Sequence, residues 1–296
     1  MSETLRFGID LGGTKTEGII LDATGREYFR KRIATNSSHY DAVLSGIVDL
    51  YGDMRRAAGD APHTLGIGTP GAVSKRTGLL KNSNTVCLNS RPVPRDLRER
   101  LGHELVIEND ANCFAMAEAL QGAAKGRRVV FGVIMGTGCG GGIVLDGKVH
   151  SGLQSIAGEW GHMSIDPNGP PCYCGQRGCV ETFISGTGLE RRCAELTGDT
   201  RGVPEIVAAY RSGEPGAVAL MDEFFARFGR ALANVIAIMD PDIVVLGGGL
   251  SNIDELYTRG VSETARRVFS DSLETPIVRH RLGDSAGVIG AALVGR

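Results

Sequence analysis

Apolar positions along this chain recur with two different periods, and the switches between them outline its elements. Leu5 to Leu11 reads as a strand, Gly12-Gly13-Thr14 as a turn, and about Thr16 to Leu21 as a second strand. Gly25 makes another turn, and Glu27 to Ile33 reads as a third strand. Between Tyr40 and Ala58 the period becomes helical, with Val43, Ile47, Leu50 and Met54 on one face. Thr64 to Gly68 predicts a short strand, Thr69 to Pro94 a loop rich in Gly, Asn, Ser and Pro, and Asp96 to Leu101 a helical turn. Leu105 to Glu108 predicts a strand and Asn112 to Leu120 a helix. Later helices are expected at Pro204 to Ser212, Ala217 to Met239 and Ser251 to Val268. Asp242 to Leu246 reads as a short strand, apolar from Ile243 on and of the kind buried in parallel sheets, ending in Gly247-Gly248-Gly249. The Gly- and Ala-rich segment Ser285 to Val294 permits a closely packed last helix. Strands alternating with helices make the class α/β.

The chain also repeats itself. Phe7 to Asp22 aligns without gaps on Phe131 to Asp146, with seven of sixteen positions identical, and each segment reads as strand, glycine turn, strand. The simplest account is a duplicated lobe, each half opening with a hairpin whose tip faces a shared cleft.

Composition narrows the class without naming a chemistry. The 296 residues are 42% hydrophobic and 22% charged, with a formal net charge of -2 and Lys and Arg scattered along the chain. That balance gives no electrostatic reason to expect nucleic acid or an anionic membrane as partner. No apolar run reaches the roughly 18 to 20 residues of a membrane span, and the N-terminus has no signal-peptide core, so a cytoplasmic location is expected. Seven cysteines, an odd number, argue against a disulfide framework; Cys87, Cys113, Cys139 and Cys193 read as buried small hydrophobes. The 43 glycines cluster at the ends of apolar strands, which suggests tight turns and close backbone approach to a ligand.

Three glycine turns follow strands: Gly12-Gly13-Thr14, Gly136-Thr137-Gly138 and Gly247-Gly248-Gly249. Amides exposed at such turns donate to phosphate oxygens. Gly8 and Gly13 have Walker A spacing, but Thr14 stands where that loop requires Lys. Gly136, Gly138 and Gly141 match a dinucleotide fingerprint, but a strand rather than a helix follows. Asp10, one residue before the first turn, is a candidate partner for Mg²⁺ through water, or else a brace for the turn; Lys15 is a candidate phosphate neutraliser or a solvated strand lysine.

Phosphoryl transfer to an alcohol needs a carboxylate to take the hydroxyl proton. Asp110, between a strand end and a helix start, is the candidate base, with a helix N-cap as its structural alternative; Asn109 beside it offers a donor and an acceptor to a sugar hydroxyl pair. Further on, His162, Cys172, Cys174 and Cys179 supply one imidazole and three thiolates, a closed tetrahedral Zn²⁺ set, with Gly175 and Gly178 permitting the turn between thiolates. Glu159 and Glu181 flank these ligands, either as solvated residues or as acceptors for sugar hydroxyls.

Taken together, IDLGGTKTEG, GIGTPGAV, ENDANCFAMAEA, GTGCGGGIVLDG, GEWGHM, CYCGQRGCVET and DIVVLGGGLS resemble the ROK family of sugar kinases and repressors, within the actin-like sugar kinase/Hsp70 superfamily, along nearly the whole chain. The resemblance implies a two-lobed actin-like ATPase (ribonuclease H-like) fold with duplicated lobes around a central cleft. The lobes are expected at 1–117 plus 284–296 and at 118–283, the second carrying a zinc knuckle at 162–179. It implies ATP bound by Gly12-Gly13-Thr14, Gly136-Thr137-Gly138 and Gly247 to Gly249, with Asp110 as catalytic base. Asn84, Asn109, Glu159, His162 and Glu181 are implied as sugar contacts, His162 also as a zinc ligand, and a homodimer is implied. GEWGH, PCYCG and CVETFISGTG are similar to bacterial fructokinases that also accept mannose, so the expected reaction is phosphorylation of fructose or mannose, at the 6-position. Glucose, N-acetylglucosamine and N-acetylmannosamine are the alternatives. A repressor of the family would need a helix-turn-helix ahead of the first strand, and a non-catalytic sugar sensor would have no use for Asp110.

Overall fold

A computed structural model of the chain describes residues 4–59 and 61–295. Strands β1 (Leu5–Leu11), β2 (Lys15–Leu21) and β3 (Glu27–Ala34) form an antiparallel meander. Helix α1 (Tyr40–Ala58) leads to β4 (His63–Thr69), and a short pair, β5 (Ala72–Val73) and β6 (Leu80–Lys81), precedes α2 (Val93–Leu101), β7 (Val106–Asn109) and α3 (Asp110–Leu120). There follow β8 (Val129–Met135), β9 (Cys139–Leu145) and β10 (Lys148–Val149), then α4 (Glu181–Ile184), α5 (Gly186–Thr197), α6 (Val203–Arg211) and α7 (Pro215–Met239). The chain ends with β11 (Ile243–Gly247), α8 (Arg259–Ala265), β12 (Ile277–Arg279) and α9 (Ala286–Val294).

The two large sheets have strand orders β3-β2-β1-β4-β7 and β10-β9-β8-β11-β12. In each, the first strand of a glycine hairpin pairs in parallel with the next buried strand: β1 with β4, and β8 with β11. The sixteen-residue repeat is therefore the readable part of a duplicated sheet. Within β11 every residue is buried, as expected for a strand covered on both faces.

Two compact units divide the chain. One comprises Met1–Lys125, Gly142–Ala157 and Leu282–Arg296, the other Gly126–Gly141 and Gly158–Arg281. The expected boundary at 117/118 takes no account of 142–157, which groups with the first unit for local reasons. A Cβ on Gly142 would run into the main chain of Ala111 in α3. Ser151 Oγ donates to Glu108 Oε2 (2.7 Å), while Lys75 and Lys81 donate to the carbonyls of Gly152 (2.7 Å) and Gln154 (3.0 Å).

Most expected elements stand within a residue or two of their predicted bounds, and α1 matches at both ends. Ser251 to Val268 is a correction. Instead of one helix it forms single turns at Gly249–Asn252 and Asp254–Tyr257 before α8. Ile253 is extended at ψ 103° and Thr258 lies outside helical geometry, so the hydrogen-bond ladder breaks twice.

In the first unit, glycines let α9 come into backbone contact with the sheet. A Cβ on Gly66 of β4 would overlap the Ala291 carbonyl, and one on Gly290 would overlap that of Cys113 in α3. This contact brings the start of α9 against the carboxyl end of β1, where Asp10 sits. By contrast, a Cβ on Gly46 in α1 would meet only Ile33 Cδ1, at 3.8 Å. Gly66→Ala is therefore expected to destabilise the fold by about 1–3 kcal/mol through overpacking. Gly46→Ala should be neutral or gain up to about 1 kcal/mol from helix propensity. Thermal melts of the two variants check the contrast; equal effects would contradict it.

Candidate active site

In the first unit the functional side chains gather where β1 and β7 end and α3 begins. Asn109 is the N-cap of α3: its Oδ1 accepts from Ala111 N (2.9 Å) and its Nδ2 donates to Gly71 O (3.0 Å). Asp110 is thus the first residue of the helix rather than its cap, with Oδ1 accepting from Ala111 N at 2.8 Å. A carboxylate in the first turn also faces the positive end of the helix dipole.

Asp10 shares this neighbourhood. Its carboxyl lies against two glycines: a Cβ on Gly287 would come within 2.6 Å of Oδ2, and one on Gly68 within 3.3 Å of Oδ1. Among the described residues no hydrogen bond satisfies it. Burial first, then the negative charges of Asp110 and Glu17, push its carboxyl up to about 7, against partial relief from Lys15 and Arg32. Cys113, fully buried between these acids, is pushed up by burial and then by Asp10, Glu108 and Asp110. The arrangement favours a cation.

Sequence reasoning passed over Glu108. Its Oε1 accepts from Asn109 N (2.9 Å) and Asn112 Nδ2 (2.9 Å), and its Oε2 from Ser151 Oγ (2.7 Å). It thereby ties the Asn109-Asp110 turn to the segment after β10. The only advance signal was an acid at a strand end next to two candidate residues. Asn84 is exposed, in a turn framed by Asn89, whose side chain bonds Ser83 N (2.9 Å) and Ser83 O (2.8 Å).

The first glycine turn spends part of its donor capacity on itself. Gly12 N donates to Lys15 O (3.0 Å), and Thr35 Oγ1 donates to Gly12 O (2.8 Å). A Cβ on Gly13 would meet nothing within 4 Å, so that stretch of backbone is open to a ligand. Thr14 and Lys15 are exposed beside it.

The second unit carries the corresponding turn. Gly136 N donates to Gly138 O (2.9 Å), Gly186 N to Gly136 O (2.7 Å), and Thr187 Oγ1 to Thr137 O (2.8 Å), so the start of α5 holds the turn. Glu181 Oε2 accepts from Cys139 N (2.9 Å), and a Cβ on Gly138 would come within 2.6 Å of the same oxygen. After β11, Gly248 takes φ 77° with Met135 main chain where its Cβ would be, and its carbonyl accepts from Ser251 Oγ (2.6 Å). Gly247 closes β11, and a Cβ on Gly249 would meet only open space.

Trp160 links β9 to the candidate metal-ligand segment: its indole donates to Gly140 O (2.9 Å). It opens a single turn, Trp160–His162, preceded by Glu159. The candidate ligand atoms of His162, Cys172, Cys174 and Cys179 all lie within 4.8 Å of one another. Cys174 Sγ is 3.6 Å from Cys179 Sγ, and Cys172 Sγ is 3.6 Å from His162 Nδ1. Tetrahedral thiolates at about 2.3 Å from a zinc ion stand roughly 3.8 Å apart, whereas a disulfide needs about 2.0 Å. The donor set therefore fits zinc and not a disulfide. In the metal-free protein, burial and then hydrogen bonds from Cys174 and Cys172 push the Cys179 thiol up to about 12. Gly178, at φ 61°, lies so close to the Asp166 carbonyl that any Cβ would overlap it.

A model of the ROK family matches residues 6–296. The chain belongs to the ROK family. An N-acetyl-D-glucosamine kinase from Haemophilus influenzae is 37% identical over 97% of both chains. Among solved structures, the ROK hexokinase of Thermus thermophilus is 34% identical with a TM-score of 0.90, covering 99% of this chain and 98% of that one. A ROK family glucokinase from Streptomyces griseus, in complex with glucose and AMPPNP, is 29% identical with a TM-score of 0.79 over 99% of both chains. These likenesses make the duplicated α/β sheets those of an actin-like ATPase fold. They also bear on the expected substrate, since the relative of highest identity named here is an N-acetylglucosamine kinase and not a fructokinase. Among the described residues no helix is long and apolar enough to cross a membrane.

The Asp10 geometry generates a stability test. Its carboxyl titrates near 3.8 unfolded and about 7 folded. Ionising it therefore opposes folding, an effect absent below about pH 4 and fully present above about pH 7. Asp10→Asn, neutral throughout, is expected to melt higher than the wild type at pH 8 and level with it at pH 4. The same difference at both pH values would contradict the assignment.

Proposed function

We propose that this protein, a sugar kinase of the ROK family, transfers the γ-phosphoryl group of ATP to a hydroxyl of an N-acetylated hexosamine. N-Acetyl-D-glucosamine is the leading acceptor, and the 6-hydroxyl the reacting group. The observation that carries the choice of acceptor is the near full-length likeness to the Haemophilus influenzae enzyme. It supports the alternative set out from the sequence above the expected fructose or mannose.

In this reading Asp110 takes the proton of the acceptor hydroxyl as it attacks. Its position in the first turn of α3 supports that role, because Asn109 fixes the turn and a helix terminus restrains the carboxylate. The proposed sugar-contact residues are Asn84 and Asn109 in the first unit and Glu159, His162 and Glu181 in the second; those proposed for the nucleotide are Gly12 to Lys15 in the first and Gly136 to Gly138 and Gly247 to Gly249 in the second. Gly12 and Gly136 amides serve their own turns, which leaves the neighbouring amides to meet phosphate. Mg²⁺ carried with ATP neutralises charge on the phosphates, and the unsatisfied, elevated carboxyl of Asp10 suits a water-mediated hold on it. The four-residue His/Cys set holds a structural zinc that stiffens the segment bearing His162 and Glu181.

Three experiments test this. An ADP-release assay across N-acetylglucosamine, N-acetylmannosamine, glucose, fructose and mannose should give the highest kcat/KM for N-acetylglucosamine, about tenfold or more above fructose. A preference for fructose or mannose would overturn the acceptor. Asp110→Asn should lose turnover by a factor on the order of 10² to 10⁴ with sugar affinity little changed, and near-normal turnover would remove the base. Metal analysis should find about one zinc per chain, lost in Cys179→Ser; a fully stable, metal-free wild type would refute the zinc.

A further inference from the structure

The metal-ligand segment contains one aromatic side chain that the proposed reaction does not use. Tyr173 lies between two of the thiols, and the residue is 79% exposed. Its hydroxyl is 3.0 Å from His162 Nε2, with the two rings edge to face at 89° and 5.1 Å between centroids. The other imidazole nitrogen, Nδ1, is the one turned towards the thiols, 3.6 Å from Cys172 Sγ. An imidazole that binds metal through Nδ1 carries its proton on Nε2. That N–H is the only polar group His162 has left to offer a ligand, and the Tyr173 hydroxyl accepts it.

We propose that Tyr173 is a displaceable cover on His162, a phenol that occupies the place of a sugar hydroxyl and yields it when sugar binds. This rests on the reading above in which His162, Glu159 and Glu181 contact the sugar.

Two features support it. The phenol hydroxyl stands at hydrogen-bond distance from the imidazole nitrogen, 3.0 Å, with its ring edge to face against the imidazole. A sugar hydroxyl accepts from an imidazole N–H in the same way. The contact is also easy to exchange. Cys172 and Cys174 anchor the backbone on either side while the ring itself stands in solvent, so the side chain swings away without disturbing the ligand set. His162 then accepts only ligands with a hydroxyl able to replace the phenol, which makes Tyr173 a determinant of sugar selectivity and affinity.

The test uses the full chain with its metal, labelled with 3-fluorotyrosine, and N-acetylglucosamine as the probe. The chain has six tyrosines, and the fluorine signal of Tyr173 is assigned by its absence from Tyr173→Phe. With sugar, that signal should move towards the position of free 3-fluorotyrosine and follow the binding curve. Tyr173→Phe, which has no hydroxyl to displace, should keep its zinc content and bind the sugar about two- to fivefold tighter by calorimetry, the effect of one exposed hydrogen bond. A fluorine signal unmoved at saturating sugar, or a Phe variant that binds equally or more weakly, would overturn the cover while leaving the kinase reading intact. A wild type that binds no hexose or hexosamine at all would overturn both.

Discussion

Two half-buried carboxylates whose charges bear on each other set the central constraint on the site in the first unit. Asp10 ends β1, and Asp110 opens α3. Backbone contacts at Gly66 and Gly290 draw α9 in until Gly287 and Gly68 line the Asp10 carboxyl. Water is reduced there and a second negative charge is near, so the carboxyl rises to about 7. A fold that places an acid in such surroundings without a hydrogen-bond donor gives up stability at neutral pH. Proteins retain that kind of arrangement where chemistry needs it. In the proposed function the compensating charge arrives with the nucleotide, and Asp110 is then left to act on the acceptor hydroxyl.

In the second unit the opening residues of β9 do comparable work. Cys139 N is bound by Glu181, Gly140 O by the Trp160 indole, and a Cβ on Gly161 would overlap the Cys139 carbonyl. One short strand start therefore supports both the phosphate-type turn and the segment that bears His162. The close-set His162, Cys172, Cys174 and Cys179 side chains before it and the start of α4 at Glu181 itself leave that side chain little freedom, which in the proposed function suits a residue asked to orient a hydroxyl.

Much of this was legible in the sequence because it is local. Helical periodicity located α1 to the residue, and the identity between Phe7–Asp22 and Phe131–Asp146 reported a duplicated sheet whose later strands share no such match. Ligand density and turn glycines were enough to expect that His162 and the three thiols, the thiols themselves lying within eight residues, would gather in one place. What escaped depends on contacts between distant segments. Glu108 looks like an ordinary strand-end acid until Ser151 arrives from beyond β10. The break at Ile253 and Thr258 is invisible to a periodic reading, because apolar spacing continues through it. The expectation of fructose or mannose rested on wording confined to one segment, and the near full-length likeness to an N-acetyl-D-glucosamine kinase was needed to weigh the alternative against it.

The acid pair can be observed directly. Carbon-13 labelling of aspartate would follow the Asp10 carboxyl by NMR as pH is raised, with the resonance assigned from Asp10→Asn. The account predicts a midpoint close to 7 in the free protein, falling towards the ordinary value near 3.8 once Mg²⁺ and a non-hydrolysable ATP analogue are bound. A midpoint near 4 in the free protein, indifferent to the nucleotide, would contradict it.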